Sequence, residues 1–92
     1  MPKVTVTKSI RLTAEEAREA GRLATLLGSA SESALLKEAL LRGMMAMKLE
    51  AAVTRYTHRD LSVGEVAEMF GVPVPLLLQE LARRRIPTMD VP

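Results

Sequence analysis

The stretch VTVTKSIRLT, Val4–Thr13, decides how the rest of the chain is read. Val4, Val6, Ile10 and Leu12 alternate with Thr5, Thr7, Ser9 and Arg11, and β-branched residues dominate, so the pattern predicts a strand. No other segment repeats it. One isolated strand leaves a row of backbone donors and acceptors unpaired. The expectation is therefore that a second copy supplies the missing edge, with two strands antiparallel about a two-fold axis.

Composition limits the alternatives. A chain of 92 residues makes one domain, or a small domain with an appended module, and association would enlarge its modest core. Phe70 and Tyr56 are the only aromatics, so leucine, alanine, valine and six methionines must fill that core, which suits helices. The absence of cysteine excludes disulfides and thiolate metal sites and fits a cytoplasmic protein. No signal peptide or membrane span is expected, because the richest apolar run, ALLRGMMAMKL, is broken by Arg42 and Lys48. The net charge is only +2, but its distribution is uneven. Residues 1–12 carry Lys3, Lys8 and Arg11 with no acid, and ARRRIP places Arg83, Arg84 and Arg85 at the end of the last expected helix. That triplet reads equally as cations complementing a helix dipole or as a phosphate contact.

Downstream of the strand the signals are helical. Thr13 followed three residues later by Glu16 is a capping box, predicting a helix over 14–27 that Gly28 ends. In GSASES either Ser31 or Ser33 can cap a second helix. Leu35, Leu36, Ala39, Leu40, Gly43, Met44 and Met47 continue it at helical spacing to about Arg55. Gly43 costs about 1 kcal/mol relative to alanine there, which suggests close approach of another helix. Ser62 and Glu65 form a second capping box, Gly71 ends that short helix, Pro75 suits the first turn of the next, and Pro87 stops it. The expected organisation is a first domain over 1–55, a helix-turn-helix-like module over 56–87 and a tail over 88–92. His58 stands alone and reads as a solvated loop residue.

The paired strands would bury Ile10 and Leu12 with Leu36, Leu40 and Met44 of the second helix as a dimer core. Thr7, Ser9 and Arg11 would then face outward. A two-stranded ribbon fits the major groove, where arginine pairs with guanine and hydroxyls serve several bases, so these three are candidate base contacts. The free amides at the start of the second helix, near Ser31 and Ser33, suit a phosphate, and Lys3 and Lys8 add charge for further backbone contacts. In the last helix only Gln79 could read a base edge. Leu76, Leu77 and Leu78 cannot all be buried in so small a unit, and they mark a surface for docking a partner.

TKSIRLTAEEAREAGRLATLLGSASESALLKEALLRGM resembles the ribbon-helix-helix DNA-binding class of Arc, MetJ and CopG type, over about residues 7–50. The carriers are the strand ending IRLT, the acidic first turn, and the serine-initiated helix SALLKEAL. The resemblance implies a mainly α fold: an intertwined ribbon-helix-helix dimer with a C-terminal helical hairpin. It also implies base contacts at Thr7, Ser9 and Arg11 and a phosphate contact at Ser33, with Ser31 kept as a candidate because GSASES is a residue longer than the usual turn. The second half is similar to an antitoxin-like helical module, through Tyr56, Leu61, Ser62, Gly64, Glu65, Ala67, Gly71, Leu77, Leu81, Arg84, Ile86 and Pro87. The expected function is a homodimeric repressor on a roughly palindromic operator in double-stranded DNA, with the choice between a dimer and a higher-order assembly on DNA left open by the sequence. It would be either an antitoxin that represses its own operon and neutralises a toxin protein, or a plain repressor. The competing class is a protein-interaction module whose ribbon only dimerises. No cofactor, metal or catalysis is expected, since the chain has one histidine, no Gly-rich phosphate loop and no convergent carboxylate pair.

Overall fold

A computed structural model describes residues 3–88. Four helices follow one another: α1 (Ala14–Leu27), α2 (Glu32–Tyr56), α3 (Val63–Phe70) and α4 (Val74–Arg83). Most of the tail expected over 88–92 lies outside the described residues. None of the described helices is long and apolar enough to cross a membrane.

There is no strand among the described residues, and this corrects the central expectation. Residues 3–13 have no regular secondary structure, and every one of them is exposed. The fold is mainly α, and the ribbon-helix-helix architecture, its intertwined two-strand dimer and the resemblance that implied them do not hold. Alternation of apolar and polar residues favours a β conformation, but a strand exists only through its ladder. This chain contains no second segment able to supply one. Without a ladder the two faces of Val4–Thr13 are not distinguished, and Ile10, expected inside, is 78% exposed.

Local chemistry sets the helix limits. The Thr13 hydroxyl accepts from the Glu16 N–H at 3.1 Å, and the Glu16 carboxylate accepts from the Thr13 N–H at 2.8 Å. Ser62 and Glu65 repeat this box on α3 at 3.1 and 2.9 Å. At α2 the Ser31 hydroxyl accepts from the Ala34 N–H at 3.0 Å, so Ser31 rather than Ser33 caps that helix. Gly28 and Gly71 end α1 and α3 at φ 66° and 67°, in the left-handed region that a residue without Cβ enters freely. α4 stops at Arg83, four residues before Pro87, so the proline is not what ends it. The chain turns instead at Arg85, φ 57°, where the Arg85 and Ile86 N–H groups donate to the Ala82 and Leu81 carbonyls at 3.0 and 2.9 Å.

The chain divides into two compact units, one ending at Glu38 and one beginning at Ala39. In the second, Ala52, Val53 and Tyr56 of α2 are buried with Val63, Val66, Ala67, Val72, Leu77 and Leu81, and Met45, Leu49 and Ile86 pack against this core. Its 57–62 loop is clipped from both sides. Arg55 donates to both Asp60 carboxylate oxygens at 2.5 and 3.0 Å. The Arg59 guanidinium lies 4.9 Å from the Tyr56 ring centroid and donates to the Pro87 carbonyl at 2.7 Å. In the first unit only Ala24 and Leu35 are buried among the described residues. A Cβ at Gly21 would lie 3.7 Å from the Glu32 carboxylate, so α1 presents its smallest residue to the start of α2.

Candidate nucleic-acid interface

Lys3, Lys8 and Arg11 share one exposed segment with Thr7 and Ser9, and no acid precedes Glu15. Among the described residues none of these three cations is in an ion pair. Val4 and Val6 beside them are 90% and 73% exposed. Three unneutralised cations on an acid-free segment form a local positive field, and hydroxyls and guanidinium together offer donors to phosphate oxygens or base edges. The five expected DNA-contacting residues of the segment are thus adjacent in sequence and all accessible, but not sorted onto one face.

The start of α2 is less open to an anion. The Ser31 hydroxyl is engaged in capping, Ser33 is exposed in the first turn, and Glu32 between them already places a carboxylate at the positive end of the helix dipole. Glu16 plays the same part at α1, where hydrogen bonds from the Thr13 backbone and then its side chain hold the carboxyl below its ordinary range.

α2 is apolar on two opposite sides. Met45, Leu49, Ala52, Val53 and Tyr56 face the core of their unit. About half a turn away Leu40, Gly43, Met44 and Met47 form a second stripe, with Leu40, Met44 and Met47 59%, 46% and 71% exposed. Nothing lies within 4 Å of where a Gly43 Cβ would stand. Of the residues expected in a dimer core, Leu40 and Met44 are exposed on this stripe, Leu36 is half-buried, and Ile10 and Leu12 are exposed on the N-terminal segment.

Among the leucines expected to dock a partner, Leu77 is wholly buried in its own unit, and only Leu76 and Leu78 keep surface. With Pro73, Pro75 and Gln79 they line a shallow, mostly apolar depression. At the far end of α4 the Glu80 carboxylate receives hydrogen bonds from both Arg83 and Arg84, with Nε of each at 3.1 and 2.9 Å. Those two guanidiniums, Arg83 first, lower the Glu80 carboxyl to about 2. The Arg85 side chain makes no hydrogen bond or ion pair among the described residues. The sequence pattern gives Arg59 no role, and its clip from the 57–62 loop to Pro87 spans 28 residues that no local rule connects. No group of three metal-ligating side chains is present among the described residues. Comparison with protein-family models, with curated proteins and with solved structures returned no match.

Proposed function

We propose that the protein is a DNA-binding transcription regulator that acts in the cytoplasm as a homodimer, with residues 3–12 as its contact to the duplex. The observation that carries this reading is the N-terminal segment itself: exposed throughout, free of acids, and carrying Lys3, Lys8 and Arg11 without ion-pair partners among the described residues. Exposed cations with no acid among them attract a polyanion at long range. Pairing of copies is supported by the second stripe of α2, since a face of Leu40, Met44 and Met47 around an uncrowded Gly43 can meet its own symmetry mate closely. The reading involves no catalysis.

The test starts from a site selected out of a randomised duplex pool. Arg11→Ala is expected to weaken binding to that site by about 1–3 kcal/mol and relax its sequence preference, while Ser33→Ala has a smaller effect, even across sequences. A titration of Arg11→Ala that overlays the wild type sinks the reading.

A second reading, a protein-interaction module, is favoured by Leu76 and Leu78, which keep apolar surface beside two prolines. It joins the first if the protein is an antitoxin that binds DNA through its N-terminal segment and a toxin through α4.

A further inference from the structure

We infer that Arg85 is a second contact to the DNA backbone, carried by the C-terminal helices and independent of the N-terminal segment. The inference rests on the DNA-binding reading above. Three helices of the chain end in the same hydrogen-bonded turn. Ser29 donates to Ala24 after α1, Val72 to Ala67 after α3, and Ile86 to Leu81 after α4. In each, the residue before the donor sits in the left-handed region. At the first two it is glycine, as steric cost dictates; at the third it is Arg85, φ 57°.

Among the described residues one other with a side chain adopts this conformation, Arg59 at φ 65°. Its guanidinium stacks on Tyr56 and holds the Pro87 carbonyl, so a contact within the molecule accounts for an arginine there. Arg85 makes no such contact among the described residues, and a cation at the end of α4 complements the helix dipole without needing the left-handed backbone. Its neighbours Arg83 and Arg84 share the Glu80 carboxylate, which among the described residues leaves the end of α4 with three guanidiniums against one acid. The backbone that carries Arg85 is fixed by its own turn and by Ile86, which packs on the core. With the backbone fixed, only the rotamers of the side chain remain to be ordered on binding. An exposed guanidinium with its donors unused among the described residues matches a phosphodiester.

The test uses the full chain and a 30-base-pair duplex of arbitrary sequence, titrated from about 50 to 200 mM salt, the range over which phosphate contacts separate clearly. Arg85→Gly is expected to raise the melting temperature, because glycine relieves the left-handed backbone. The same variant is expected to lower the slope of log K against log salt by about 0.9 for each protomer in contact, a roughly threefold smaller loss of affinity across that range. Arg85→Lys should keep the slope. An unchanged slope in Arg85→Gly overturns the inference, and so does a fall in its melting temperature, which would assign the arginine a structural task. Arg11→Ala run in parallel separates the two claims: a change there with none at Arg85 leaves the N-terminal reading standing, and a wild-type chain that binds no duplex at the lowest salt overturns both.

Discussion

The unit beginning at Ala39 buries nine apolar side chains in one cluster, whereas the unit ending at Glu38 buries Ala24 and Leu35 and leaves Leu23, Leu26 and Leu27 at 42%, 74% and 65% exposure. The second unit is the richer in apolar residues, and it also gathers them into one core. On α1 only Ala24 is buried, whereas eight buried residues on three helices, with Val72 between α3 and α4, form one cluster in the second unit. The first unit thus has the smaller buried core of the two among the described residues.

The largest expected effect breaks the core of the second unit. Leu77→Ala removes a side chain with no exposed surface and should cost about 2–5 kcal/mol in denaturant unfolding. Leu26→Ala, in dilute solution where the chain stands alone, should stay within about 0.5 kcal/mol of wild type. Equal losses at the two positions would abolish the distinction between the units. It sharpens with concentration: a homodimer gains melting temperature as protein concentration rises, and Met47→Lys, with its charge on the second stripe of α2, should lose that dependence while keeping its dilute-solution stability.

The two capping boxes compare the units at equal chemistry, with a smaller effect. Thr13→Ala and Ser62→Ala each remove a side-chain acceptor that serves an N3 amide at 3.1 Å, a loss typically of about 1 kcal/mol. Ser62 starts a helix whose Val63, Val66 and Ala67 are buried, so its loss should appear in the global unfolding transition. Thr13 starts a helix with one buried residue, so its loss should appear as faster hydrogen exchange along α1 at nearly unchanged global stability. Global loss in both variants would mean that the units unfold as one.

The same division runs through what the sequence makes legible. Both boxes, the glycine stops and the limits of α1 depend on residues three to five apart, and the code for them is local. Val4–Thr13 carries an equally clear local pattern, yet the strand it predicts is absent, because a ladder needs a partner and alternation specifies a face without specifying one. The end of α4 fails differently. Pro87 advertises a stop, but the turn at Arg85 is made by Ile86 folding back onto the core, a tertiary contact that overrides the steric preference for glycine. Of the candidate site, the basic residues of the N-terminal segment can be read directly from the chain. Arg85 is visible there only as one of three arginines, and its backbone conformation singles it out.

The smallest expected effect lies in acid. Glu80 is held at about 2 by Arg83 and Arg84, against an ordinary 4.5, so the folded unit binds this proton less readily than the unfolded chain. The sign follows from that order: the stabilisation is complete above about 4.5 and is lost as pH falls toward 2. Glu80→Gln should thus melt below wild type at neutral pH, with the difference narrowing through that window, and a carboxyl titration followed by NMR should place the Glu80 midpoint near 2. Glu16, lowered by its own cap, titrates in a helix that the first unit holds with one buried residue. If α1 frays in the dilute chain, the Glu16 midpoint should return toward its ordinary value while that of Glu80 stays low. Dimerisation or bound duplex that restores the Glu16 shift would then report the ordering of α1 at a single carboxyl group. A Glu16 midpoint that stays low in the dilute monomer would show that the cap alone keeps this helix start formed, without a partner.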